Sequence, residues 1–430
     1  MFSIAERGSS VRAEIVGGAT TFVSMAYIIV VNPAILSFAG IPAGPSTVAT
    51  ILTAAFGTML MGLYANRPIA VAPYMGENAF IAFGLAAFGI TWQQRLGAVF
   101  ISGIAFLIIT LLGVRTWLAE SVSTSMKHSF AAGIGLFLTF IGLVETGIVV
   151  PAKAVPVQIG DIRSAPVLLA IFGFVITAAM LYKRIHGAIL IGMAATAILG
   201  FLLGAGSAPH GVIAMPYDLS PIALKLDIAG VLRVSFLPIL LTLFLMSLLD
   251  TLGTLVGVGA AAGMLDERGN FPQIEKPMFV DALSCIFSGL VGTSTSGAYI
   301  ESSTGIREGA RTGLASVVTA CLFLASLFFI PLFEPLQSLR YAYAPALLVV
   351  GMLMLSSVAK IDFDDFTELV PAFATIVVMV FTYNIANGLT AGLLLHPIMK
   401  LLAGRPREIR AGSIVLAILC AVYFVFGLPH

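Results

Sequence analysis

Two carboxylates stand in stretches that otherwise hold apolar and small residues. Asp250 closes the run Phe236-Leu-Pro-Ile-Leu-Leu-Thr-Leu-Phe-Leu-Met-Ser-Leu-Leu-Asp250. Glu301 lies in Gly292-Thr-Ser-Thr-Ser-Gly-Ala-Tyr-Ile-Glu301-Ser-Ser-Thr-Gly305. An ionised side chain at bilayer depth costs about 2.5 to 3.5 kcal/mol on insertion scales, and such groups mark substrate, ion or proton pathways. Asp250 therefore reads as a proton or substrate ligand, against the alternative of a carboxylate neutralised by a structural partner. Asp250, Gly253, Thr254 and Gly257 recur on one helical face, where small residues admit a close neighbour. A short helix starting near Ala298 would place Glu301 in its first turn, beside backbone N–H groups without intrahelical partners. That geometry suits a flat polar ligand, and helix capping is the alternative use. A second interrupted stretch, Pro68-Ile-Ala-Val-Ala-Pro73-Tyr-Met-Gly76-Glu-Asn78-Ala-Phe80, holds Glu77 and Asn78. Asn78 offers both a donor and an acceptor, as a heterocyclic amide edge requires. Glu77 stays open between a cavity-facing group, a second proton site and a partner for the other half of the chain.

The elements that must position these residues are membrane spans. The 430 residues are 59% hydrophobic and only 10% charged, with a mean hydropathy of +1.05. Soluble domains carry about 25% charge. Apolar stretches predict spans at about 14–38, 46–65, 69–87, 93–113, 129–150, 166–183 and 187–205. A second set follows at about 236–260, 277–292, 294–306, 312–334, 343–358, 369–386 and 388–403. The piece at 412–427 reads either as a further span or as a helix on the membrane. With a cytoplasmic N-terminus, the inside segments hold Arg7, Arg12, Arg67, Arg115, Lys127, Lys183, Arg184, Arg268, Lys276, Arg307, Arg311, Lys360, Lys400, Arg405, Arg407 and Arg410. The outside segments hold Arg95, Lys153, Arg163, Lys225, Arg233 and Arg340, a clear positive-inside bias.

Seven spans per half invert the second half relative to the first, an architecture common among secondary transporters. The expected division is a first repeat at 1–206, a linker at 207–235, a second repeat at 236–403 and a C-terminal segment at 404–430. The third span of each half is the interrupted one, and paired interruptions point to a binding site. Thr20, Thr21, Ser24 and Tyr27 are expected to bond backbone within the first span, and Asn32-Pro33 to end it. Arg307, Glu308 and Arg311 read as the end of the short helix, Asp362, Asp364, Asp365 and Glu368 as a solvated acidic loop, and His396 as a structural residue. A net charge of +1 without a basic block argues against a nucleic-acid partner. Cys285, Cys321 and Cys420 fit neither a zinc spacing nor a disulfide framework. No phosphate-binding loop, metal cluster or nucleophile–base pair is visible, so neither ATP-driven transport nor an enzyme is expected, nor any cofactor.

Several motifs in order carry a resemblance. They are Glu14-Ile-Val-Gly-Gly-Ala-Thr-Thr-Phe-Val-Ser-Met-Ala-Tyr-Ile-Ile-Val-Val-Asn-Pro33, Pro73-Tyr-Met-Gly-Glu-Asn-Ala79, Asp250-Thr-Leu-Gly-Thr254, Ala298-Tyr-Ile-Glu-Ser302 and Phe381-Thr-Tyr-Asn-Ile-Ala-Asn-Gly388. Over nearly its whole length the chain resembles the AzgA-like branch of the nucleobase–cation symporter-2 family, the adenine, guanine and hypoxanthine permeases. The resemblance implies an all-α polytopic membrane protein, a fourteen-span 7+7 inverted repeat. Spans one to four and eight to eleven would form a core domain, the others a gate domain, with short strands in spans three and ten. It implies proton-coupled symport of a purine base across the cytoplasmic membrane. Substrate would meet Asn78, Glu77, Asp250, Glu301, Gly297, Ala79 and Phe80, with Asp250 and Glu301 coupling to the proton. The expected partners are the base, the proton and the lipid bilayer, and a homodimer stays open. One departure is visible: the family pattern Pro-Gly-Met-Gly-Leu-Asn-Ala reads here with Tyr74 and Glu77. The alternatives are transport of another flat or anionic solute, such as uracil, xanthine or a small anion, or a membrane receptor that does not transport.

Overall fold

A computed structural model describes residues 2–206, 211–233, 236–264 and 271–426. The protein is a mostly helical, multi-pass membrane protein. Among the described residues, nine helices are long and apolar enough to cross a membrane. Residues 207–210 and 234–235 of the expected linker, Arg268 of the inside charges, and residue 427 of the last apolar piece lie outside the described residues.

The first predicted span is two helices, α1 (Val11–Met25) and α2 (Ile28–Ser37), and α3 (Ala43–Leu63) is the second. Asn32 and Pro33 do not end the first span. They sit inside α2, because the carbonyl that Pro33 leaves without an N–H, that of Ile29, accepts from Gln337 Nε2 at 3.1 Å. The third predicted span is strand β1 (Val71–Pro73), helix α4 (Met75–Ala79) and a π-helical turn over Phe80–Gly84. Next come α5 (Trp92–Leu111), α6 (Val114–Ser121) and α7 (Thr124–Glu145). Arg95, counted among the outside charges, is buried in the first turn of α5. Its guanidinium donates to Ile81 O and Ala82 O at 2.6 and 3.1 Å, satisfying carbonyls of the π-helical turn.

A small ribbon of β2 (Val149–Pro151) and β3 (Val157–Ile159) follows, which the sequence reading did not foresee. Helices α8 (Ala165–Tyr182) and α9 (Ala188–Leu202) complete the first half, and the short α10 (Ile228–Val231) lies in the segment between the halves. The second half opens with α11 (Leu237–Ala261) and α12 (Glu275–Val291). Strand β4 (Ser296–Ala298) and helix α13 (Ser302–Arg307) form its broken stretch. Then come α14 (Gly313–Ser326), α15 (Ile330–Ser338), α16 (Arg340–Leu355), α17 (Phe366–Phe381) and α18 (Ile385–Leu402). The piece of open status is helix α19 (Ala411–Phe426), packed against α18. The four short strands make the fold helical rather than purely α.

The two broken stretches meet. Strands β1 and β4 pair antiparallel, with Val71 opposite Ala298, Ala72 opposite Gly297 and Pro73 opposite Ser296. Tyr74 N donates to Thr295 O and Tyr299 N to Ala70 O, both at 2.9 Å. The ladder is thus two-fold symmetric about the Ala72–Gly297 pair. Two strands leave two edges, and lipid offers no water to satisfy them. Side chains do so here. Thr58 Oγ1 accepts from Val71 N and donates to Val71 O, both at 2.9 Å, and Ser302 Oγ accepts from Ala70 N at 2.9 Å. The Cys285 thiol donates to Ser296 O, and Ser284 and Ser296 hydroxyls bond at 2.7 Å.

Candidate functional site

The ladder gathers polar groups that are far apart in sequence. Helix α11 brings Asp250, which is partly exposed and makes no hydrogen bond to any described residue. From α4 comes Glu77, fully buried, accepting from Ser247 Oγ of α11 at 3.1 Å and from Thr295 Oγ1 beside β4. Glu77 thus bonds to the other half of the chain through Oε2, while its Oε1 has no hydrogen-bond partner among the described residues. Glu301 sits just before α13. The helix starts at Ser302 rather than near Ala298, since Ala298 is taken by the ladder. Glu301 is thus not inside a first turn. Its carboxylate accepts from the Tyr27 hydroxyl at 2.7 Å. All three carboxylates lie at the ladder: Glu77 is held by Thr295 beside β4, Glu301 follows Tyr299 by two residues, and Asp250 precedes Thr251, whose hydroxyl pairs with Tyr74.

Two tyrosines flank the centre of the ladder. Tyr74 and Tyr299 have ring centroids 6.4 Å apart and planes within 8° of parallel. The Tyr74 hydroxyl pairs with Thr251 Oγ1 at 3.0 Å, and the Tyr299 hydroxyl donates to Pro73 O. Gly297 is glycine because the Tyr74 phenol occupies the space a Cβ would fill. Ala79 and Phe80 are fully buried where α4 passes into the π-helical turn, with the Phe80 ring against Gly84. Asn78 is buried as well, and donates through Nδ2 to Asn32 Oδ1 at 2.9 Å.

The sequence reading missed several contributors. Tyr27 and Ser24 do not bond their own backbone. Tyr27 serves Glu301, and the Ser24 hydroxyl donates to Thr304 Oγ1 at 3.1 Å, since Thr304 gives its own proton to Glu301 O, tying the first span to α13. Asn32 is the hub of a buried network joining α2 to α3 and to both breaks. Fully buried Glu14 accepts from the N–H groups of Arg311, Thr312 and Ala315, capping α14 from across the bundle. The signal for these was a polar residue in an apolar helix, the same signal that marked Asp250. Away from the ladder, the acidic stretch is not merely solvated. Glu368 takes hydrogen bonds from Ser123 at 2.5 Å, His396 at 3.2 Å and buried Lys400 at 3.0 Å. Arg405 and Lys400 both pair with Asp365.

A broken-helix pair bearing carboxylates inside a multi-pass bundle is the architecture of a membrane carrier. The chain belongs to the Permease family of the nucleobase–cation symporter-2 type (Xan_ur_permease), whose model matches residues 12–390, and this makes it a transporter rather than an enzyme. It is 45% identical over 426 residues to a putative permease of Methanocaldococcus jannaschii, covering 99% of this chain and 97% of that protein. It is 39% identical over 431 residues to the adenine permease AdeP of Escherichia coli, covering 100% of this chain and 96% of AdeP. To the guanine/hypoxanthine permease PbuG of Bacillus subtilis it is also 39% identical, over 437 residues and 99% of each chain. In fold it is similar to the transmembrane domain of the cyanobacterial bicarbonate transporter BicA. The TM-score is 0.66 at 16% identity, over 89% of this chain and 97% of that one.

Proposed function

We propose that this chain is a secondary active transporter that carries a purine nucleobase, together with protons, across the cytoplasmic membrane. The carrying observation is the convergence of Asp250, Glu77 and Glu301 on the β1–β4 ladder, where both halves meet. A carboxylate only accepts hydrogen bonds unless it is protonated, and it carries charge. Three of them around one ladder suit a ligand rich in N–H donors and a cargo of protons. Relatives at 39% identity divide between adenine and guanine/hypoxanthine permeases, so adenine, guanine and hypoxanthine are the candidate bases.

On this reading the fold is a fourteen-span 7+7 inverted repeat with a cytoplasmic N-terminus. The repeats run 1–206 and 236–403, joined by 207–235 and followed by 404–430. Spans one to four and eight to eleven form the core, and the others form the gate. The two-fold ladder supports the repeat, because it pairs corresponding strands of the two halves. Asp250 and Glu301 couple the proton. Asn78, Glu77 and Gly297, with the neighbouring Ala79 and Phe80, form the base site. The test is uptake of radiolabelled bases into proteoliposomes with an imposed proton gradient. Accumulation of a purine against its concentration, abolished by collapsing the proton gradient, is the expected result. Binding without accumulation would assign a receptor, and accumulation of only uracil, xanthine or an anion would reassign the substrate.

A further inference from the structure

The buried amide pair Asn32–Asn78 has a polarity that can be read atom by atom. Thr50 donates its one hydroxyl proton to Ser46 O at 2.7 Å. Its oxygen therefore accepts from Asn32, so the Asn32 atom 2.7 Å away is the amide nitrogen. The same nitrogen donates its other hydrogen to Thr293 Oγ1 at 2.9 Å. Asn32 Oδ1 then faces Asn78 at 2.9 Å and the Ser294 hydroxyl at 3.2 Å. All hydrogen-bonding positions of the Asn32 side chain are filled, by α3 and both breaks. Asn78 has no choice but to donate with Nδ2, which also faces Met75 Sδ at 3.9 Å. What remains is Asn78 Oδ1, buried and without a hydrogen-bond partner among the described residues. Buried acceptors are seldom left unmatched in native proteins, and each one calls for an explanation.

We infer that Asn32 is a positioning residue that holds the Asn78 amide with its carbonyl oxygen presented to the transported base. Position 78 then reads an N–H donor and rejects an acceptor or a methylated nitrogen at that point. This rests on the proposed purine transport and goes further, since it assigns a hydrogen-bond direction to one contact and gives its cause to a residue that never touches the substrate. The sequence alone left Asn78 able to donate and accept; the network removes the donor.

The experiment is equilibrium binding to the purified full-length protein. Adenine, guanine and hypoxanthine are each compared with isologues methylated at one ring or exocyclic nitrogen. Losing one buried hydrogen bond costs about 1 to 3 kcal/mol, so methylation at the nitrogen read by Asn78 should weaken wild-type binding roughly 5- to 150-fold. Asn32→Ala lets the amide rotate, and the ratio between that base and its isologue should fall towards one. Asn32→Asp keeps one acceptor oxygen facing both Asn78 and Ser294, and its second oxygen can accept from the Thr293 hydroxyl, so the ratio should survive. Asn78→Ala should abolish it, which keeps the inference testable even if Asn32→Ala does not fold. A wild-type ratio retained in Asn32→Ala or Asn78→Ala overturns the inference, as does its loss in Asn32→Asp. Wild type that binds bases but tolerates every methylation overturns this inference alone. Wild type that binds no base overturns the proposed function and the inference with it.

Discussion

At the scale of single residues, Asp250 differs from the other two carboxylates in having no described hydrogen-bond partner, whereas Tyr27 holds Glu301 and Ser247 and Thr295 hold Glu77. An unpartnered, partly exposed carboxylate is the one best placed to exchange a proton with cargo in place. Asp250→Asn should therefore abolish concentrative uptake while leaving the protein folded in the membrane. Normal gradient-driven accumulation by that variant would remove Asp250 from the coupling. Glu301→Gln keeps the shape and loses the charge. It should weaken binding of purines by about 5- to 150-fold, the range expected for one buried hydrogen bond, in a direct binding assay. Tyr27→Phe should shift affinity in the same direction by less, since it only releases Glu301. The sequence singles out Asp250, Glu301 and Asn78 as candidates because each stands out against apolar or interrupted surroundings. Tyr27 and Asn32 carry the same kind of signal. Their tertiary roles do not show in the sequence because a hydroxyl has a local backbone alternative and Asn-Pro often ends a helix. Only the tertiary partners Glu301 and Gln337 override those local tendencies.

At the scale of elements, apolar length and interruption placed the helices to within a few residues, including both broken stretches. Their pairing was not readable from composition, because a three-residue strand has too little pattern to show its partner. Its support lies in other helices, on Thr58, Ser284 and Ser302. Thr58→Val keeps the size and strands the Val71 N–H. It should destabilise the fold by about 1 to 3 kcal/mol, seen as a lower melting temperature and weaker base binding together. Undiminished stability would mean that the ladder edge finds another acceptor. Outside the spans, Asp365 caps α17. The Thr367 hydroxyl and N–H, then Lys400 and Arg405, hold its carboxyl down at about 2. An unfolded Asp titrates near 3.9, so the cap contributes fully above that pH and fades as pH falls through about 2. Asp365→Ala should lower stability by roughly 0.5 to 2 kcal/mol near neutrality. Melting curves of variant and wild type should converge as the pH approaches 2; a constant difference would exclude the ionised cap.

At the scale of the molecule, the proposed topology places the segment between the halves on the outer side. Val212→Cys, at an exposed position, should react with an impermeant thiol reagent added to intact cells, in a background lacking the exposed Cys321. Reaction only after the membrane is opened would invert the orientation. The mostly helical, multi-pass character is where sequence and structure agree most, since a run of apolar residues needs no partner to be recognised. The Ala72–Gly297 centre has a further consequence. Residue 70 meets 299 and residue 74 meets 295, each half offering the other the same strand in the same sense. That is the self-complementary contact of a two-fold dimer, and such a contact does not depend on the chain being continuous between its sides. Two separate polypeptides, 1–206 and 207–430, made in one cell should therefore find each other and rebuild the base site, the peptide link serving only to keep the siblings in equal number.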